Sequence, residues 1–271
     1  MKHLLYFAAL LLAPLLPGVI NQTKAFFAGR KGPGVFRLYA DLLKLLRKSC
    51  PRSATTTWIF DVAPALGLAA TLAAGWVFPS DASDAVLFFY LLGLGRFFTV
   101  LGALDTGSAF EGMGASREVQ FSALVEPTVF IVLGFFALSA GSAPFAHPIS
   151  ALLIAIAFFA VLLTETCRVP FDDPETHLEL TMIHEAMILD NAGPDLAFIL
   201  YASAVKFTLL AAFLVQLVLP RAWLLPGVLA IALLVGVVES VIARMRFLKT
   251  PQVLLGAFMI ALLAILLFVL F

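Results

Sequence analysis

Eight runs of roughly twenty mostly apolar residues constrain this chain more than any other feature. They lie at about 3–21, 57–78, 85–104, 120–141, 147–166, 195–219, 222–243 and 251–271. A helix needs about 20 such residues to cross the hydrocarbon layer. Within lipid each backbone N–H and C=O must be satisfied inside its own segment, so runs of this length read as helices. Composition agrees, because 62% of the 271 residues are hydrophobic and only 13% are charged. A soluble domain is about 45–50% apolar and about 25% charged. The polar residues left are too few to cover a globule of this size. That excludes a soluble enzyme, a nucleic-acid reader and a disordered scaffold. No internal repeat or low-complexity tract is present, so the sequence predicts one all-α polytopic membrane domain over 1–271, with eight spans.

The first run follows Lys2 as the core of a signal peptide would. No small-x-small cleavage site follows it and the next residues are strongly basic, so it reads as a retained helix. The net charge is zero, 17 basic against 17 acidic residues, so the placement of charge matters more than its total. With the N-terminus outside, the cytoplasmic segments carry Lys24, Arg30, Lys31, Arg37, Lys44, Arg47, Lys48, Arg52, Arg117, Arg168, Arg244, Arg246 and Lys249. That is 13 of the 17 basic residues, against Lys2 and Arg221 outside. The positive-inside rule fixes this orientation. Eight spans then return the C-terminus to the outside, and the three long connections, about 22–56, 105–119 and 167–194, face the cytoplasm. A chain so lopsided is expected to dock something large there.

After the first span, Gly29-Arg30-Lys31-Gly32-Pro33-Gly34 precedes a stretch whose polar stripe is Arg37, Asp41, Lys44 and Lys48. The other faces carry Phe36, Leu38, Tyr39, Leu42, Leu43, Leu45 and Leu46. This spacing predicts a short amphipathic helix lying in the membrane interface. The glycine-rich turn lacks the GxxxxGK[ST] of a phosphate loop. The third connection starts Glu165-Thr166-Cys167-Arg168-Val169-Pro170-Phe171-Asp172-Asp173-Pro174-Glu175. Asp before Pro at a first helical position predicts a helix from there to about Asn191, stopped by Gly193-Pro194. Glu175 and Glu179 would share one face, His177 and His184 another. His184-Glu185 lacks the second histidine of HExxH, so a metalloprotease is excluded. Cys50 and Cys167 show no CxxC pairing, which argues against a zinc or iron–sulfur site held by this chain. Both lie beside basic, cytoplasmic segments, where thiols stay reduced.

Ionisable groups within spans are costly and mark function by default. Here they are Arg96, Glu126, Lys206 and Glu239, with Asp61, Asp105, Glu118 and Glu165 near the cytoplasmic ends. At ~1.5 Å per residue, Lys206 lies roughly 16 Å in from Asp195 and Arg96 roughly 13 Å from Asp105. Neighbouring spans could assemble a polar path from the cytoplasmic face to mid-membrane, a relay in which a lysine facing glutamates has a shiftable pKa. The alternative is static pairing, Lys206 with Glu239 or Arg96 with Glu126, that holds helices together.

These segments together resemble the membrane subunit 1 family of respiratory complex I and its relatives in energy-converting [NiFe] hydrogenases. Arg30–Gly34 with its lateral helix is similar to that family's cytoplasmic arginine–x–glycine–proline signature. Glu165-Thr166-Cys167-Arg168-Val169-Pro170-Phe171-Asp172 resembles its glutamate–x–x–arginine–x–proline–phenylalanine–aspartate motif. The hydrogenase branch, of hydrogenase-4 and formate hydrogenlyase type, is the nearest in Leu104–Ser108, Gly114–Glu118 and His177–Met187. The resemblance implies an anchor and coupling subunit without an active site of its own. Its partners would be hydrogenase large and small subunits, an iron–sulfur subunit and antiporter-like membrane subunits, in the cell inner membrane of a prokaryote. The [NiFe] and iron–sulfur centres would sit on those partners. By the same resemblance Arg30, Gly32, Pro33, Gly34, Arg168, Pro170, Phe171, Asp172, Glu175 and Glu179 would form the docking surface for soluble subunits. Arg96, Asp105, Glu118, Glu126, Glu165, Lys206 and Glu239 would form the ion-coupling path. A quinone-binding subunit of a complex-I-type dehydrogenase is the other reading.

Overall fold

The computed structural model describes residues 2–53, 55–139, 147–172, 182–243, 245 and 249–270, with side chains from Tyr6 onward. Among these the chain is helices and connections, with no strand. In order they are α1 (Lys2–Leu12), α2 (Leu15–Phe27), α3 (Arg37–Leu45), α4 (Trp58–Trp76), α5 (Ala82–Asp105), α6 (Ala109–Ser139), α7 (Pro148–Glu165), α8 (His184–Met187), α9 (Gly193–Val218), α10 (Leu224–Val241) and α11 (Thr250–Leu270). Seven helices are long and apolar enough to cross a membrane, and the bent pair α1–α2 supplies the eighth span.

That first span is broken by 44°, and Pro14 is the cause. Proline has no N–H to give to the carbonyl four residues back and its ring crowds that carbonyl. The carbonyl in question is Leu10 O, which instead accepts from the Tyr201 hydroxyl at 3.1 Å. The next one, Leu11 O, accepts from the Tyr39 hydroxyl of α3. In lipid such freed groups need partners from neighbouring elements, so the break is stitched to α9 and to the lateral helix. The span also runs on to Phe27, six residues beyond the expected limit of 21.

The expected amphipathic helix is present as α3, with no buried residue and with Phe36, Leu43 and Leu46 exposed beside its charged stripe. The chain between α2 and α3 folds back along α2. A Cβ at Gly18 would lie 2.1 Å from Val35 O, so only glycine permits this approach. Gln22 Nε2 donates to Pro33 O at 2.7 Å and fastens the same turn.

Two expectations are corrected. The second cytoplasmic connection, 105–119, is mostly helix, because α6 begins at Ala109 and runs for 31 residues. At ~1.5 Å per residue that is about 46 Å, longer than the ~30 Å hydrocarbon layer. Its glycines and charges suggested a loop, yet Gly114 lets α8 approach closely and Glu111 and Glu118 are buried. Tertiary packing overrides local propensity there. The helix expected from 174 to Asn191 is not continuous either. Residues 173–181, which include Glu175, His177 and Glu179, lie outside the described residues. Beyond them only His184–Met187 is helical. Gly193-Pro194 does not stop a helix but opens α9, with Gly193 at φ +55 and Pro194 in the first turn.

α4 packs antiparallel on α5, α10 on α2, and α11 on α7 and α6. One large cluster of buried side chains joins them, centred on Phe88, Phe158 and Phe213, whose ring contacts among themselves and with Phe89 span 5.1–6.0 Å between centroids. Trp58 and Trp76 stand exposed at the two ends of α4, as membrane-interface aromatics do.

Candidate functional site

α7 is short, and where it ends decides the site. Its last residue, Glu165, meets Lys206, which lies 13 residues into α9 from Gly193. Glu165 therefore sits at the level of mid-span groups, not at the cytoplasmic edge where its place near the helix end suggested. Its carboxylate holds two cations. Lys206 Nζ is 2.8 Å from Oε2, and Arg96 Nη1 of α5 bonds Oε1. Arg96 also approaches Glu126 of α6 at 3.8 Å. Arg96, Glu165 and Lys206 side chains are each at most 16% exposed, whereas Glu126 is 61% exposed. Glu118, nearly buried on α6, lines the same small cavity of about 70 Å³, together with Arg96, Glu165, Cys167, His184 and Lys206. That is room for a few water molecules among polar partners. On its other side the network opens into a groove of about 590 Å³ between α5 and α6, reached by Arg96, Glu118, Glu126 and Glu165.

The expected pairs therefore re-sort. Lys206 pairs with Glu165 rather than Glu239, and Arg96 chiefly with Glu165. Glu239 of α10 forms a second cluster, 3.0 Å from Lys24 Nζ and 3.3 Å from Arg168 Nη1. The Arg168 guanidinium also lies 5.6 Å from the Phe207 ring centre. Asp105 stands apart from both clusters, where it caps α4. It accepts from Thr57 N at 2.7 Å, Thr57 Oγ1 at 2.7 Å and Phe60 N at 3.3 Å. A third cluster, unforeseen in the sequence, ties Arg52 to Asp61 at 2.7 Å and to Asp195, with the Cys50 thiol 3.1 Å from Asp195. The pairing of Arg52 with acids at two helix starts was the available signal.

The segment after α7 does not face outward. Phe171 is in the core, Pro170 is buried, and Asp172 is 2% exposed. The Asp172 carboxylate accepts from Ile183 N at 3.2 Å and His184 N at 3.0 Å, holding the start of α8. With Arg168 bonded to Glu239, these four residues brace the site from within. The chain folds back here, with Arg168 N on Leu163 O and Met245 N on Pro170 O. Arg30 and Gly34 are exposed, and Gly32 and Pro33 half-buried.

His184, read from the sequence only as sharing a helix face with His177, contributes to the site. Its Nε2 is buried without a hydrogen-bond partner among the described residues, and it lines the polar cavity. Burial, and then the Lys206 charge, push its pKa down to about 4. Burial first, with Glu118 and Asp172 adding to it, raises the Cys167 thiol well above its usual range. Burial and then Asp195 raise Cys50. Both cysteines are free thiols, held in the protonated form that is the poorer nucleophile and metal ligand. No three His, Cys, Asp or Glu side chains converge on a metal position among the described residues.

A family model described as NADH dehydrogenase matches residues 1–270. Hydrogenase-4 component C of Escherichia coli (strain K12) is 30% identical, over 94% of this chain and 91% of that protein. Formate hydrogenlyase subunit 4 of the same organism is 27% identical, over 93% and 92%. Among solved structures, a chain of the membrane-bound sulfane sulfur reductase, an archaeal respiratory membrane complex, superposes with a TM-score of 0.80. It is 18% identical and the match covers 97% of this chain and 96% of that one, so the two share a fold. The motifs, the eight-span bundle and these matches agree: the chain is a multi-pass membrane protein that belongs to the NADH dehydrogenase family, of the complex I subunit 1 type.

Proposed function

We propose that this chain is the membrane anchor and ion-coupling subunit of an energy-converting [NiFe]-hydrogenase or formate-hydrogenlyase-type complex. The observation that carries the reading is Glu165, one carboxylate neutralising Arg96 and Lys206 where α5, α7 and α9 meet. Removing or protonating it would leave two partly buried cations without their main counter-charge. A charge change at this point is therefore felt by three helices at once, which is what a coupling element requires. Hydrogenase large and small subunits and an iron–sulfur subunit would dock on the basic cytoplasmic side, around the exposed Arg30 turn and α3. The [NiFe] and iron–sulfur centres belong to those partners and supply the redox chemistry.

The α5–α6 groove supports an antiporter-like membrane neighbour. Glu126 is largely exposed there among Tyr90, Phe97 and Phe130. A carboxylate facing lipid is expensive, and a partner helix bringing a hydrogen-bond donor would cover it. The test is ion movement driven by hydrogen chemistry in the reconstituted complex, with Glu126→Gln and Lys206→Ala. Retained hydrogen activity with ion movement lost is expected. Unchanged coupling in both variants would overturn the relay and leave the network as a structural clamp. Recovery of the native complex with a nickel-free, quinone-reducing module would overturn the hydrogenase assignment.

A further inference from the structure

Another cavity, lined by none of the charged-network residues, runs from near mid-span at Thr208 toward the end of the bundle where α4 stops. It encloses about 350 Å³ between α1, the start of α2, the last turn of α4, α9 and the start of α10. This falls within the ~300–1,000 Å³ of sites that take small organic ligands. Tyr6, Trp76, Leu209 and Val228 line it and Arg221 stands at its rim. The break at Pro14 and the lack of a side chain at Gly75 make the space. A Cβ at Gly75 would lie 2.8 Å from the Tyr6 ring, so the ring packs directly on this glycine at the wall of the slot. Leu225 and Leu229, on the same wall, are exposed, so the slot opens sideways toward lipid.

Its polar end is equally specific. Arg221 is one of only two basic residues that the charge distribution places on the outer side. Its guanidinium donates to Pro79 O at 3.3 Å and is exposed. It takes part in no ion pair among the described residues. An apolar slot with an unneutralised guanidinium at its membrane-surface end complements one kind of molecule. We infer that this crevice holds one acyl chain of an anionic phospholipid of the outer leaflet, with its phosphate on Arg221. The inference is independent of the coupling function, since none of the network residues takes part.

The driving force follows from the surroundings. An acyl chain gains little by moving from bilayer to slot, because both are apolar. Selection falls on the headgroup, where a guanidinium binds phosphate with charge-assisted hydrogen bonds. One basic residue near an anionic lipid surface is worth about a fivefold preference.

The full-length protein, purified in mild detergent with whatever subunits accompany it, is exchanged into phosphatidylglycerol or phosphatidylcholine and examined by native mass spectrometry. One retained phosphatidylglycerol per chain is expected, with about fivefold weaker retention of phosphatidylcholine. Arg221→Gln should erase that preference while leaving chain occupancy. Ala9→Trp, which fills the slot, should erase retention of both. A photoreactive side chain at position 229 should give an adduct of lipid mass. Equal retention in wild type and both variants would overturn the site. A peptide adduct at position 229 would overturn the lipid in favour of a neighbouring protein helix.

Discussion

Replacing Glu165 by glutamine should be the most damaging single change in the charged network. The substitution keeps size and hydrogen-bonding capacity but removes the charge that Arg96 and Lys206 share. Both cations are only 16% exposed in their side chains, and the few waters the small cavity could hold would not supply the lost negative charge. Arg96 keeps Glu126 at 3.8 Å; Lys206 keeps no carboxylate within salt-bridge reach among the described residues. Breaking a buried pair by removing one partner costs about 3–5 kcal/mol, most of it the stranded charge. For a domain of this size that corresponds to roughly 10 °C in Tm. Glu126→Gln is the internal control, because among the described residues Glu126 meets only Arg96, at 3.8 Å, and Arg96 keeps Glu165 when Glu126 is neutralised. Thermal unfolding of the purified protein in detergent, followed by size-exclusion chromatography, reads both. Adding Lys206→Met to Glu165→Gln should recover part of the loss. If Glu165→Gln were no less stable than Glu126→Gln, the shared-carboxylate reasoning would be wrong.

Three further outcomes follow from the same structure. Gly18→Ala should cost about 3 kcal/mol, the upper part of the overpacking range, because its Cβ would meet the Val35 carbonyl of a backbone held by Gln22; a loss under about 1 kcal/mol in thermal unfolding would show that the turn can shift. Asp105→Ala should cost about 1–2 kcal/mol through the lost cap of α4 yet leave ion coupling intact, and impaired coupling at full stability would return Asp105 to the path. His184 is pushed down to about 4 in the folded protein from 6.5, so its neutral form favours folding. That contribution is complete above pH 6.5 and is lost as the pH falls from there through 4, about 3 kcal/mol in all. The fall in Tm between pH 7 and 4.5 should therefore be smaller in His184→Gln, and an identical fall would remove His184 as its source.

Much of this architecture can be read along the chain, because hydropathy and basic residues report each helix's own axis. The first span, the amphipathic helix around Arg37–Leu45 and the concentration of charge in a few spans are of that kind. What the chain does not carry is the level at which one helix meets the next. Glu165 belongs to the end of a short helix and Lys206 to the middle of a long one, so counting residues separates two groups that touch. Rotation is equally hidden: Lys206 could have faced Glu239 until packing turned it to α7. Local composition misled at 105–119, where glycines and charges signal a loop but Gly114 and Glu111 serve a helix pressed against α8. The proline–phenylalanine–aspartate segment reads as surface because it follows a span. Only the backbone turn at Arg168 shows that it folds inward and that Asp172 spends its charge on two amides.

The break at Pro14 has a mechanical consequence. Carbonyls left open around the break, in a solvent that offers no donors, depend on neighbouring side chains for their partners. Tyr39 is that partner for Leu11 O, so the lateral helix is pinned at a point rather than floating on the bilayer surface. Sliding it by one residue would strand the carbonyl at a cost of several kcal/mol. A pull or push applied to the exposed, charged face of α3 therefore reaches the first span at its weakest joint.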